Sequence, residues 1–355
     1  MKLRALAVSV GLLLVGCSAT PSADSTTSAS PPEKRAVVIV SGGATSSPFT
    51  TPTQACKDGD GYLAAGNTDT DLRAYLLEMG KQVYTAPVMD TWGPVAEPTD
   101  DRPGPFKDCP IVLPETMTIL STGDLNAGGE RLARFLNYLH TEYGITDVDL
   151  VGHSNGGLWS RSAIKVLKGT DSPITVHSLT MMGTPNSGSV PGRYTVGEIT
   201  LDSCAGDAYC ETALKNWVPF ADKVDKGLNR EDTEKFLGGP DGWNAAQGNA
   251  LDGIPVTLIA GTYFSNSAGD PTVWPYDGTA SRYSAWATDV SDATIPWRTC
   301  WEGPLLHTIY QAAQLQVPWD LAMTNNTDAI ARVNQAIDQS DNALSTPNRK
   351  GCGAA

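Results

Sequence analysis

The chain has 355 residues and a formal charge of −14 at pH 7. Acidity of this size argues against a nucleic-acid partner and against adsorption to anionic lipid by charge; its plain consequence is solubility outside the cell. The length suits one large α/β domain with insertions, and no internal repeat is visible.

In chain order, residues 1–17 read as an export signal. Lys2 and Arg4 form its positive end and residues 5–14 its apolar run, which is too short to span a membrane. Leu14-Val15-Gly16-Cys17 resembles a bacterial lipobox, so Cys17 is expected to become the lipidated first residue of the mature protein. Ordinary secretory cleavage that discards Cys17 is the other outcome. Residues 18–34, rich in Ser, Thr, Ala and Pro, read as a flexible tether between the membrane and a domain spanning 35–355. In that domain 36–40 (A-V-V-I-V) is a buried strand ending at Ser41-Gly42-Gly43, 69–79 a helix stopped by Gly80, and 83–88 a strand. Pro, Gly and Asp make 90–114 an irregular loop. A helix over 126–143 has an apolar face of Leu132, Phe135, Leu136 and Leu139. Strands at 174–182 and 255–260 follow, and helices over 305–314 and 320–337 close the domain. Alternation of this kind predicts an α/β fold, a mainly parallel central sheet with helices on both faces.

Leaving Cys17 aside, six cysteines remain, an even number in an exported chain, and three disulfides are the economical reading. Six cysteines allow fifteen pairings. Joining sequential neighbours (Cys56 with Cys109, Cys204 with Cys210, Cys300 with Cys352) would staple an N-terminal excursion, a cap loop and the C-terminus. A zinc site is disfavoured, since no C-x-x-C occurs and no His lies near a Cys pair.

The most informative stretch is D-V-D-L-V-G-H-S-N-G-G at 147–157. An apolar strand runs into Gly152-His153-Ser154-Asn155-Gly156 and then into a helical pattern. That is the strand–turn–helix setting of a G-x-S-x-G nucleophile elbow. Ser154 must take a strained backbone angle, and the flanking glycines let strand and helix approach. A serine that merely caps the helix is the bland alternative. Two further segments carry a resemblance. Gly183-Thr184-Pro185-Asn186-Ser187-Gly188-Ser189 looks like the G-T-P-H-x-G-S turn of lipases, with Asn186 where His is usual. Asp277-Gly278-Thr279-Ala280-Ser281-Arg282-Tyr283-Ser284-Ala285 is similar to their D-G-x-V-P-x-x-S-A segment. The chain thus resembles the lipase branch of the α/β-hydrolase superfamily, from about residue 36 to the last helix, with its specific motifs confined to short windows.

The resemblance implies a triad in the chain order Ser, acid, His. Of four histidines, His140 and His153 precede the nucleophile, His177 lies in the strand just after it, and only His307 remains as base. The acid is expected after the 255–260 strand: Asp277 from the D-G segment, with Asp270 as the alternative, because in some lipases the D-G segment serves a calcium site. No cofactor is expected, and scattered acids near Asp270 and Asp277 do not specify calcium. The anion-stabilising N–H groups are expected from Asn155 and from Gly43, with Ala44 next. Here Ser41 replaces the His of the usual H-G-x-G. The excursion over 190–249 reads as a cap or lid. Its Trp217, Phe220 and Trp243 either meet an apolar acyl chain or lipid surface, or pack the insertion onto the domain.

These expectations converge on a serine ester hydrolase for lipid-like or hydrophobic acyl esters, anchored by Cys17 outside the membrane of a bacterial cell envelope. Acyl transfer, amide or peptide hydrolysis on the same triad, and a non-catalytic binding lipoprotein are the alternatives.

Overall fold

The computed structural model describes residues 34–56, 64–90, 106, 109–221, 231–342, 349–350 and 352. The export signal, Cys17 and nearly all of the tether lie outside the described residues, as does most of the 90–114 loop. Everything described belongs to one compact unit, Glu33–Ala355.

Strand β1 (Arg35–Val40) is buried along almost its whole length, as a parallel strand covered on both faces must be. Helix α1 (Gly66–Glu78), strand β2 (Val83–Thr85), and short strands β3 (Val88–Met89) and β4 (Ile119–Leu120) follow. The strand expected over 83–88 is therefore broken: Pro87, which has no N–H to give a ladder, separates β2 from β3, and β3 pairs with β4 in a two-stranded sheet of its own. Helix α2 (Leu125–Tyr143) starts where the Asp124 carboxylate accepts the Ala127 N–H and stops at Gly144, whose left-handed backbone caps it. Next come β5 (Asp147–His153), α3 (Asn155–Lys168) and β6 (Thr175–Met182).

The excursion contributes α4 (Val190–Thr195), α5 (Ala208–Ala221), α6 (Glu234–Leu237) and α7 (Trp243–Ala246). Strand β7 (Val256–Gly261), α8 (Arg282–Ala285), β8 (Arg298–Gly303), α9 (Ile309–Leu315), α10 (Thr327–Gln339) and β9 (Arg349–Lys350) complete the chain. Strand β8 was not foreseen. Its R-T-C-W-E-G sequence carries two charged residues and too little apolar character to signal a strand.

Seven parallel strands form the main sheet in the order β2-β1-β5-β6-β7-β8-β9. One core fills the side covered by α2 and α3, where Val38, Leu150, Leu132, Phe135 and Trp159 pack. A second fills the side covered by α1 and α10, where Val37, Ile39, Leu72, Val151 and Val333 pack. Successive residues of β1 thus point into opposite cores, and each fully buried side chain of this size contributes about 1.5–3 kcal/mol. The chain order reverses between β1 and β5, and such a switch point opens a crevice at the C-terminal strand ends. The register sets Val40 opposite Gly152, so the segments after Val40 and after His153 leave neighbouring strand ends.

The disulfides join sequential neighbours, Cys56–Cys109, Cys204–Cys210 and Cys300–Cys352. The last ties β8 to the chain beyond β9. Replacing Cys300 and Cys352 by Ser is expected to lower stability by about 2–4 kcal/mol, measured by urea unfolding without reductant. An unchanged midpoint would show the bond to be dispensable.

Candidate active site

Ser154 leaves β5 with φ 53° and ψ −132°, a backbone position that side chains rarely tolerate. Two neighbours make it feasible. A Cβ on Gly152 would lie 2.4 Å from the Gly157 nitrogen, and one on Gly156 would lie 2.0 Å from the Val40 carbonyl oxygen. Strand and helix approach that closely because both positions are glycine. The turn sets the Ser154 side chain against Gly42, where a Cβ would lie 2.4 Å from the Ser154 Cβ, and opens α3 at Asn155. A parallel sheet with this strand–turn–helix is the arrangement expected from the sequence.

The elbow is held from the end of the next strand. The Ser154 N–H donates to the Met182 carbonyl (2.8 Å), and the Thr184 hydroxyl donates to the Ser154 carbonyl (2.9 Å). Between those two anchors lies Gly183, at φ 57°. A Cβ there would stand 2.9 Å from both Asp277 Oδ2 and His307 Nδ1. The 182–184 turn is therefore shared: its ends grip the Ser154 backbone and its middle touches the acid–imidazole pair.

That pair is the one expected from Asp277 and His307. Nδ1 of His307 donates to Asp277 Oδ2 at 2.7 Å, with both side chains buried. The other oxygen of Asp277 accepts the N–H groups of Thr279 and Ala280 at 2.8 and 2.7 Å, so the carboxylate stays fixed. A proton on Nδ1 leaves Nε2 with its lone pair free. The His307 backbone is fixed as well, its N–H shared between the Asp277 carbonyl and the Gln311 side chain, both at 2.9 Å. Gln311 also closes a capping box with Thr308 at the start of α9. The alternative acid, Asp270, is exposed and accepts the N–H and hydroxyl of Thr272. It caps its own turn and does not bond His307. Among the described residues neither Ser154 Oγ nor His307 Nε2 has a hydrogen-bond partner. Hydrogen bonds of this kind are often long before substrate arrives and tighten in the complex.

Of the expected donors, the Asn155 N–H at the start of α3 and the Gly43 N–H have no acceptor among the described residues. The Ala44 N–H donates to the Ser121 carbonyl (3.2 Å), which leaves Gly43 as the open one of the two expected donors in that loop.

Two residues escaped sequence reasoning. His153, expected only to pack beside the strand, lies with its ring 4.7 Å from that of His307, and its Nε2 donates to the His307 carbonyl at 2.9 Å. Burial, followed by repulsion from His307, holds its pKa well below the usual value, so it stays a neutral support. Its place in the elbow motif was visible, but its partner lies 154 residues away. Asp69 is the other: fully buried in the first turn of α1, it accepts the hydroxyls of Ser41 and Ser47.

The excursion docks by polar anchors. Asn186, standing where lipases have His, accepts from the buried Arg161 at 3.0 Å, and Asn244 of α7 accepts from the same guanidinium at 2.7 Å. Burial, then repulsion from Arg298, pulls Arg161 down to about 9. Trp243 lies under that cation at 5.0 Å and donates to Asn126, so this aromatic packs the insertion onto the domain. Trp217 is half-buried, and the side chain of Phe220 lies outside the described residues.

No protein-family model and no curated protein matches the sequence. Among solved structures, the chain is similar to the Bacillus licheniformis lipase BlEst2 in propeptide form, at 14% identity and TM-score 0.42, over 92% of this chain and 54% of that one. It thus spans about half the length of that protein. A membrane phospholipase A described as a bacterial virulence factor is similar at 11% identity and TM-score 0.46, over 88% of this chain and 81% of that one. A thermophilic esterase from Thermogutta terrifontis is similar at 13% and 0.41, over 87% and 91%.

Burial raises three carboxyl groups: Asp69 to about 6, Asp232 to about 7 and Glu231 to about 8, the last also through the neighbouring Asp124 carboxyl. Unfolded acids titrate near 4. The folded chain therefore binds more protons above that pH, and stability contributed by the neutral forms is lost as pH rises from about 4 to about 8. Urea midpoints are expected to fall between pH 5 and pH 8, and Glu231→Gln should flatten the upper part of that slope. A midpoint that rises over this range would contradict the assignment.

Proposed function

We propose that the protein is a serine hydrolase of carboxylic esters, working through an acyl-enzyme on Ser154. The observation that carries this is the His307–Asp277 pair, packed against the same turn that holds the strained Ser154 backbone. In the proposed reaction the Ser154 hydroxyl attacks the ester carbonyl while His307 Nε2 takes its proton. Asp277 orients the ring and stabilises the imidazolium. Negative charge on the carbonyl oxygen is met by the N–H groups of Gly43 and Asn155, the latter at the positive end of α3. The imidazolium then protonates the departing alcohol. Water, activated by His307, releases the acid and restores Ser154. The step uses protein groups alone and calls for no cofactor.

Lipid-like or hydrophobic acyl esters are the proposed substrates, from the lipase-like segments at 183–189 and 277–285 and the size of the 190–249 excursion. Attachment at Cys17 to the outer side of the membrane is part of the same proposal, and three disulfides suit an oxidising compartment. Acyl transfer to an alcohol would use the same intermediate, and amide hydrolysis the same triad.

A fluorophosphonate probe is expected to label the purified protein, and Ser154→Ala should abolish labelling. Folded wild-type protein that resists the probe would favour a binding role. A series of p-nitrophenyl esters of rising chain length, beside an anilide, should be turned over with esters preferred; anilide preference would make it an amidase. Asp277→Asn should lower kcat roughly ten-thousandfold, as loss of the orienting carboxylate does elsewhere, whereas Asp270→Asn should leave it unchanged. Equal losses at the two positions would refute the choice of acid.

A further inference from the structure

The loop that carries Gly43 begins with a diglycine, the most freely jointed dipeptide available. An N–H that is to meet a developing oxyanion must be aimed before the substrate arrives, because reorganisation at that moment cancels its benefit. The structure supplies anchors on both sides. Downstream, the Ala44 N–H bonds the Ser121 carbonyl, the Thr45 hydroxyl turns back to the Gly42 carbonyl (2.8 Å), and Ser47 exchanges two backbone bonds with Val88. Upstream, the last residue before the diglycine is Ser41, fully buried, and its hydroxyl donates to one oxygen of Asp69.

We propose that Asp69 is a positioning residue for the anion-stabilising loop: through the Ser41 hydroxyl its buried carboxyl group sets where the Gly43 N–H points. The inference rests on the ester-hydrolase reading. Three observations support it. Asp69 has no exposed surface, and its second oxygen has no partner. A carboxyl group is costly in such a place, and an apolar residue would fill the first turn of α1 without that penalty. Asp69 Oδ2 also lies within hydrogen-bonding distance of the Ser47 hydroxyl (2.9 Å), so one carboxyl group reaches both ends of the 41–47 loop.

Counting protons separates the two links. The Ser47 hydroxyl has one hydrogen and two acceptors, Asp69 Oδ2 and the Ala65 carbonyl (3.0 Å). A neutral Asp69 can donate to Ser47, which then donates to Ala65, and every hydrogen finds a partner; an ionised Asp69 leaves one acceptor short. The Ser41 hydroxyl donates to the carboxyl group in either state. Ser41 is thus the constant tether and Ser47 the one that varies. Burial raises Asp69 to about 6, against the pull of the Ser41 and Ser47 hydroxyls, which favour the ionised form.

The test compares Ser41→Ala, Ser41→Thr, Asp69→Ala and Asp69→Asn with wild type on a p-nitrophenyl ester. Losing the tether lets Gly43 stray, so Ser41→Ala and Asp69→Ala should lower kcat about ten- to hundredfold, below the loss of a whole donor, with KM nearly unchanged. Threonine keeps the hydroxyl and asparagine keeps an acceptor, so both should recover most of kcat. Because the two residues act as a unit, Ser41→Ala combined with Asp69→Ala should be no slower than either alone. If Asp69→Ala does not fold, Ser41→Ala and its threonine counterpart carry the comparison. A wild type without turnover would defeat the hydrolase reading itself. An active wild type whose Ser41→Ala variant keeps kcat, or loses it through KM, would overturn the role given to Asp69.

Discussion

Ser154 sits in a left-handed backbone conformation, and a side chain held there costs roughly 1–3 kcal/mol that its surroundings must offset. The offsets are identifiable. Met182 and Thr184 clamp its backbone from β6, α3 begins immediately after it, and Gly152 and Gly156 remove the side chains that would push strand and helix apart. Strain at this position is what lifts the hydroxyl off the sheet and points an unsatisfied helix N-terminus at the same space. The position of the Ser154 hydroxyl and the start of α3 are thus set by one backbone feature.

The same constraint fixes the partners. The 182–184 turn that restrains Ser154 also abuts Asp277 and His307, so displacement of the elbow would be felt at that pair. His153 reinforces the link from below, because it belongs to the elbow strand yet holds the carbonyl of His307. Each element that approaches the site is tied by a short, buried hydrogen bond to the element beside it. The excursion follows this rule with the Arg161, Asn186 and Asn244 cluster, where a buried cation takes amide acceptors and a tryptophan face in place of a carboxylate.

Much of the frame was legible because its signals are local. The apolar 36–40 run and the Val148, Leu150, Val151 pattern read as strands, Gly144 stops the helix expected over 126–143, and the glycines around Ser154 mark a turn that few other purposes require. His307 emerged because the chain has so few histidines. What lay hidden depends on partners distant in sequence. Strand β8 is held as a strand by β7 and β9, whatever its charges suggest, and Pro87 shows how one missing donor redirects a segment into a separate sheet.

By itself the sequence determined the alternation of elements and the elbow turn, and it singled out Ser154 and His307 as candidates, since these follow from periodicity, turn chemistry and scarcity within short windows. Tertiary structure alone decided that Asp277 and not Asp270 meets His307, that Gly43 and not Ala44 keeps a free N–H, which cysteines pair, that His153 holds the His307 carbonyl and that Asp69 meets Ser41. Those outcomes turn on distances of about 3 Å between residues far apart along the chain. Hydrogen bonding at that range responds to where the folded backbone passes, which no local pattern of residues encodes.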